Sequence, residues 1–420
     1  MSVIVVMKVD SSDKKIIELV NKALCEYPEE LLNWKKKLIA WRLEKKECSK
    51  EGKPSPPAPI LENRTFVDYS IKVALCEDCV YLRFGSYYKV SKKTLENYLN
   101  EILDQHAMAS KEFDKDSLKT FCEGLNRLIQ RFTVFKRVIG PWCYSNRIIK
   151  RGPYSFYPNN SRLISFIKQL KTRSELPLPR GDFDSIWISV EVECVDVQTA
   201  EELSRPLFVN AENILNFHGN FKEGERTIGI CDFKNYTSGD NIIIGEHSAS
   251  KRYNFDDSYV ADLKYLLNDP VIKKLLEIST LPKEYPKRVL TAANWIGSAI
   301  KGGKNSMGFV SCIIAIEALL QADQGLITPS IGSQVREGAA FILGRNFNNR
   351  MRIHRIMNRL YGLRSSAVHG GDSEIGDLDF ENALSISKEL VSKFLLDSHL
   401  KKISSTEEYT DYIKKKRYTT

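Results

Sequence analysis

The stretch Leu360-Tyr-Gly-Leu-Arg364-Ser-Ser-Ala-Val-His369-Gly370-Gly371 carries an apolar helical pattern into a double glycine, with Arg364 and His369 on either side of a spacer of small residues. Arginine brings a permanent positive charge and a rigid fork of donors that matches phosphate. Histidine is the side chain whose ordinary pKa suits proton transfer near neutrality. Together they are a minimal kit for cleaving a phosphodiester without a metal. On an ideal helix, residues five apart point about 140° away from each other. The pair therefore shares one site only where the helix ends, and Gly370-Gly371 supplies that ending.

The helix predicted over Asn348–Ser366 has an apolar stripe of Ile353, Ile356, Met357, Leu360 and Leu363. Arg352, Arg355 and Arg359 follow i, i+3, i+7 spacing on a neighbouring face. From Arg345 to Gly371 the arginines are 345, 350, 352, 355, 359 and 364, with no acidic residue among them. Such a block suits a polyanion, so Arg345, Arg350, Arg352, Arg355 and Arg359 are candidate RNA contacts. His354, set among them, reads as a solvent or RNA contact. Arg364 lies four residues after Leu360 and seven after Met357, which puts it at the border of the core, where a charge needs partners. Glu317 poses the matching problem inside the apolar run Cys312–Leu320. It is expected to orient Arg364 or His369; pairing with Arg336 or Arg359 for packing alone is the alternative.

Three segments carry a family likeness: the helix Phe309–Leu320, the segment Ser333-Gln-Val-Arg336-Glu-Gly-Ala-Ala-Phe-Ile-Leu343, and Leu-Arg-Ser-Ser-Ala-Val-His-Gly. Through them the region Val289–Leu400 resembles the HEPN superfamily of helical ribonucleases, most closely the Apea-like HEPN type. The resemblance implies a metal-independent RNA endonuclease without cofactor, working as a homodimer that brings the Arg and His of both protomers together. His369 would take the proton from the RNA 2′-hydroxyl or deliver one to the leaving 5′-oxygen, and Arg364 would stabilise charge on the phosphate. It also implies a role as a bacterial antiviral-defence or toxin-like effector. Ser365 follows the arginine where many relatives carry Asn, Asp or His, which leaves open weaker activity or a domain kept for dimerisation.

The 420 residues, 42% hydrophobic and 27% charged, exceed one small core and predict several domains. The expected class is α+β: a mixed N-terminal and middle region followed by an all-α HEPN-type helical bundle. The expected divisions are a helical N-terminal segment (1–47), a mixed α+β sensing or regulatory region (60–280), a HEPN-like helical domain (287–402) and a basic tail (403–420). Leu281-Pro-Lys-Glu-Tyr-Pro286 marks the boundary before the bundle. Strands are expected at Val3–Val9, Thr65–Leu75, Val80–Val90, Ser185–Asp196, Thr227–Phe233 and Asn241–Gly245. Helices are expected at Lys14–Tyr27, Glu29–Lys46, Ser91–Ala109, Ser117–Val138, Phe255–Leu267 and Pro270–Thr280. In the bundle they are expected at Arg288–Ile300, Ser306–Asp323, Ile331–Leu343, Asn348–Ser366 and Asp379–Leu400. Leu31, Trp34, Leu38 and Trp41 share one face of the second helix, and Cys48–Pro59 is a proline-rich connector. Met1–Lys8 lacks the basic start of a signal peptide, and the longest near-apolar stretch, Phe309–Leu320, is too short to span a bilayer. A soluble, cytoplasmic protein away from membranes is the expectation.

Rival sites lie upstream. Cys76-x2-Cys79 offers half of a tetrahedral zinc site, or simply two small side chains in a hairpin. Pro141–Tyr157 interleaves Trp142, Tyr144, Arg147, Lys150, Arg151, Tyr154 and Tyr157, a composition for base stacking or for plugging an interface. Glu191 and Glu193, with Asp182 and Asp184 upstream, suit either a metal-dependent nuclease or the solvent-facing edge of an antiparallel strand. The functional readings are therefore a HEPN-type endoribonuclease, a non-catalytic RNA-binding and dimerisation module, and a metal-dependent nuclease centred in the middle domain.

Overall fold

The computed structural model describes residues 11–50, 54–59, 73–74, 76–85, 88–143, 145, 147–169, 186–219, 227–230, 241–244, 249–252, 261–280, 283–322, 330–368 and 375–418. They form two compact units, residues 1–132 with 193–200, and residues 133–192 with 201–420. The described residues are predominantly helical with one larger sheet, an α+β chain. The bundle helices and the sheet both fall in the second of these units.

In the first unit, α1 (Ser11–Cys25) is an amphipathic helix, α2 (Glu29–Lys50) buries only Leu31, and α3 (Lys92–Ala109) and α4 (Lys115–Leu128) are amphipathic helices with polar caps. The Ser91 and Asp114 side chains accept from the amides of Thr94 and Ser117. Ile16, Val20, Leu95, Leu99, Leu103, Phe121 and Leu125 pack the core. The strand expected at Val80–Val90 is instead helical at its start, with a π-helical turn at Tyr81–Gly85. Val73, Cys76 and Val80 are buried at i, i+3, i+7, a helical spacing, so Cys76 and Cys79 sit on a helix and not in a hairpin. The expected strand Val3–Val9 and most of Thr65–Leu75 lie outside the described residues.

The helix expected over Ser117–Val138 breaks at Leu128, and Gln130–Val138 is strand β1. It occupies the interior of a six-stranded sheet of order β3-β4-β5-β1-β6-β7. The other strands are β3 (Ile149–Arg151), β4 (Tyr154–Tyr157), β5 (Ile186–Cys194), β6 (Asn241–Ile244) and β7 (Ala249–Arg252). Antiparallel ladders join β3 to β4, β4 to β5, β1 to β6 and β6 to β7. A short parallel pair, β2 (Pro141–Trp142) with β8 (Ala261–Asp262), stands apart, so the predicted helix Phe255–Leu267 is helical only from Leu263 within the described part. β5 is internal to the sheet and antiparallel to β4, and Glu191 and Glu193 are exposed at its far end. Helix α5 (Asn160–Gln169) covers the sheet through Phe166, which meets Phe135 and Tyr157 at 5.9 and 5.4 Å between ring centroids.

Helix α6 (Val197–Asn216) leads from the sheet into the bundle. Buried Glu212 on α6 accepts from the Ile230 amide and from Lys301, and Asn216 exchanges hydrogen bonds with the backbone of Ile228. Two short helices, α7 (Leu263–Asn268) and α8 (Pro270–Ile278), precede α9 (Glu284–Gly302). Next come α10 (Ser306–Leu320), α11 (Ile331–Leu343), α12 (Phe347–Val368) and α13 (Asp377–Leu396). The 403–420 tail is not a loose basic segment: Thr406–Tyr418 is helix α14, with Tyr409 buried against Tyr285 and Phe394 and with Arg417 forked onto Glu337.

Gly297 is where α9 meets α6 backbone to backbone. A Cβ there would lie 2.0 Å from the Asn213 carbonyl oxygen. Gly297→Ala is expected to force the two helices apart and lower stability by about 1–3 kcal/mol. Equilibrium denaturation checks this, and an unchanged midpoint would contradict so close an approach.

Candidate active site

Helix α10 is apolar nearly all round, and ten of its fifteen residues are buried. Glu317 is the one ionisable carboxylate on it, with a side chain only 14% exposed. Ionising a carboxylate in such surroundings demands nearby cations or donors. Arg364 and Tyr361 of the adjoining α12 answer. Arg364 places a guanidinium nitrogen 3.5 Å from Glu317 Oε2. The Tyr361 hydroxyl, one helical turn earlier, is near enough to the same carboxylate for Glu317 to raise its pKa. Arg336 lies beside Tyr361 on α11, where Gly332 leaves room for both: a Cβ at 332 would stand 3.0 Å from the Tyr361 ring and 3.1 Å from Arg336.

Burial, then the Glu317 carboxylate, push the Tyr361 phenol up to about 12. Arg364 also lies over the Tyr361 ring, 6.0 Å from its centroid. The cluster is not fully satisfied internally. Glu317 Oε1, Arg336 Nε and Arg364 Nε are buried and have no hydrogen-bond partner among the described residues. A 3.5 Å contact is at the limit of a hydrogen bond. Arg364 is thus held by charge and stacking more than by a tight fork, and its Nε is buried without a hydrogen-bond partner among the described residues.

Arg364 shares a face with Leu360 and Met357, the two buried residues of α12. Ser365 is exposed on the next position. His369 lies outside the described residues, one position past Val368, the last residue of α12.

The basic run divides into two kinds. Arg359 donates to both carboxylate oxygens of buried Asp379, at 2.7 and 2.8 Å, tying α12 to the first turn of α13. Arg350 lies over the Phe341 ring at 5.2 Å and reaches the Gly344 carbonyl. Arg345, Arg352 and Arg355 are exposed, with His354 between the last two. Sequence reasoning misses Tyr361 and Asp379. For Tyr361 the usable signal is its i, i+3 spacing to Arg364.

The rival sites are placed as follows. Tyr154 and Tyr157 are buried in the sheet core, and Tyr154 donates to the Leu207 carbonyl, so neither ring is presented to a base. Arg151 is bound to the Leu267 carbonyl and to Asn268; Tyr144 lies outside the described residues. Cys76 is buried, and burial together with Cys79 pushes its thiol up to about 11. Asp182 and Asp184 lie outside the described residues, and Glu193 faces Arg131 at 3.4 Å. Among the described residues no group of three or more His, Cys, Asp or Glu is gathered as a metal site would need. None of the described helices is long and apolar enough to cross a membrane.

Comparison of the chain with protein-family models, curated proteins and solved structures found no match.

The cluster has a titration signature. The folded state keeps the Tyr361 proton to about pH 12, whereas an exposed phenol releases it near 10. The stability that this contributes is intact below pH 10 and is lost as pH rises through 12. Glu317→Gln removes a charge that raises this phenol, so the alkaline loss should move to lower pH. Ultraviolet difference titration of the phenolate band checks the shift. An identical titration in the variant would separate Tyr361 from Glu317.

Proposed function

We propose that this chain is a metal-independent RNA endonuclease of HEPN type, acting as a homodimer through its C-terminal helices. The observation that carries the reading is Arg364: a half-buried guanidinium at the end of α12, held beside Glu317 and retaining an unpartnered donor, five residues before His369. In this reading His369 moves the proton, from the 2′-hydroxyl or to the leaving 5′-oxygen. Arg364 stabilises charge on the pentacoordinate phosphate, an electrostatic contribution that often dominates phosphoryl chemistry. Glu317, Tyr361 and Arg336 orient Arg364, and Ser365 lies beside it. One motif supplies one proton-transfer group, whereas transesterification needs an acid and a base; two-fold pairing provides both. Exposed Arg345, Arg352 and Arg355 draw the RNA backbone towards the site. An antiviral-defence or toxin-like role in a bacterium fits such an activity.

A second reading keeps the RNA and the dimer but omits cleavage. It is favoured by the ion pairs that already engage Arg359 and Arg364.

His369→Ala is expected to lower cleavage by roughly 10²–10⁴ while leaving RNA binding and the dimer intact. Wild-type cleavage should survive EDTA, spare DNA and leave a 2′,3′-cyclic phosphate on the 5′ fragment. Chelator-sensitive cutting would move the site to the middle domain's carboxylates, and binding without cutting would favour the second reading.

The exposed arginines give a separate expectation. Replacing Arg345, Arg352 and Arg355 by Gln should flatten the salt dependence of RNA affinity, with a slope change of up to about 0.9 for each phosphate that is no longer neutralised. Fluorescence anisotropy across a salt series measures it, and an unchanged slope returns this face to plain solvent exposure.

A further inference from the structure

The apolar stripe of α2 does not end in a protein core. Only Leu31 of this 22-residue helix is buried; Trp34, Leu38 and Trp41, which continue its face, are half-buried. Trp34 packs in part against the core of the first unit, and it and Trp41 are also met by the proline segment Pro54-Ser-Pro56-Pro57-Ala-Pro59. The Trp41 indole N–H donates to the Pro56 carbonyl at 2.8 Å, and the Trp34 indole N–H donates to the Pro59 carbonyl at 3.1 Å. Pro56 and Pro59 are half-buried, whereas Pro54, Ser55, Pro57 and Ala58 between and around them are exposed.

The spacing is that of one repeat laid on another. Proline fixes its own φ and confines the preceding residue to extended conformations, so Ser55, Pro56 and Ala58 are all so confined. Three residues of a polyproline helix advance about 9.3 Å. Seven residues of an α-helix advance about 10.5 Å. Donors at Trp34 and Trp41 therefore meet carbonyls three residues apart, with the segment running antiparallel to the helix. Aromatic rings with an N–H aimed at proline carbonyls are a general means of recognising such segments.

We propose that the Trp34–Trp41 face of α2 is a docking site for a proline-rich peptide of a partner protein, and that Pro54–Pro59 is a ligand in cis which that peptide replaces. The flanking charge specifies the peptide further. Lys36, Lys37, Arg42, Lys45, Lys46 and Lys50 are exposed along α2, against the exposed carboxylates Glu44 and Glu47 in the same stretch. Lys45 also stands over the Trp41 ring at 4.9 Å. The partner segment therefore has prolines at three-residue spacing and acidic flanks, which the cis segment lacks. A short tether gives the cis segment an effective concentration in the millimolar range. The site is consequently closed to weak proline peptides and opens to one whose acidic flanks add affinity.

The test uses the full chain and a labelled synthetic peptide, Pro-Ser-Pro-Pro-Ala-Pro with three aspartates at each end. Replacing Pro56, Pro57 and Pro59 by Gly weakens the cis competitor, and anisotropy should then show binding at least tenfold tighter than to the wild-type chain. Adding Trp34→Phe and Trp41→Phe keeps apolar rings but removes both N–H donors, and should reverse the gain. Equal affinity for wild type and the glycine variant would overturn the proposal, as would binding that survives both Phe substitutions. Equal binding of a control peptide with the same aspartates but glycines for prolines would also overturn it, marking α2 as a general polyanion surface. Should circular dichroism show the glycine variant unfolded, the wild-type chain is titrated to millimolar peptide. Proline-dependent saturation supports the proposal, and its absence overturns it.

Discussion

Glu317 is a carboxylate on α10, the most apolar of the described helices. Desolvating Glu317 alone would cost several kcal/mol, and one ion pair rarely repays that. The fold brings two guanidinium groups and a phenol from the α11–α12 hairpin to the same place, and that convergence constrains the hairpin. Arg364 and Tyr361 must lie one turn apart on α12 with Tyr361 over Gly332, so the register of α12 against α11 is fixed by polar as well as apolar contacts. Three orphaned buried atoms remain in the cluster. Native interiors seldom tolerate such groups without a compensating reason. For the two guanidinium nitrogens, though not for the carboxylate oxygen, readiness to take another anion is one such reason, and it is consistent with the proposed chemistry.

The second constraint on α12 is Asp379. Its carboxylate is buried in the first turn of α13, where the helix dipole already favours negative charge, and Arg359 covers it with a two-pronged bond. Arg359 and Arg364 thus fix the same helix to two different neighbours, Arg359 to α13 and Arg364 to α10. Between them they hold the last turns of α12, the stretch immediately before the Arg–His spacer. An arginine row on a helix face is therefore not a uniform surface: some of its members are structural ties, and only the remainder is available to a polyanion.

The bundle is readable from sequence because its apolar runs of helical length are bounded by polar residues that cap them. Asn305 and Ser330 accept from the amides of Gly308 and Ser333, and the start of α10 and both ends of α11 fall where periodicity puts them. Sequence is less readable where both faces of an element are covered. β1 is buried from Phe132 to Val138 without alternation, and Phe132, Phe135 and Val138 recur at helical spacing, so a helix ending at Leu128 reads as continuing. The segment around Cys76 misleads in the opposite sense, with β-branched and aromatic residues on a helical turn. Of the candidate site, Arg364 and Glu317 are legible because a charge inside an apolar pattern is conspicuous. Tyr361 is not, since a tyrosine on a helix face is ordinary until its hydroxyl finds a carboxylate.

Helix α2 shows why periodicity identifies an apolar face without identifying its cover. Leu31, Trp34, Leu38 and Trp41 form a stripe that reads as core, yet six proline-rich residues from the same chain lie over part of it. A segment of that composition has few unfolded conformations to lose, so ordering it costs less than ordering an ordinary loop. Modest contacts, here two indole hydrogen bonds and part of two rings, then suffice to hold it. The same low cost makes such a cover exchangeable, because what holds it is a small number of main-chain acceptors that any extended proline segment of matching spacing also presents.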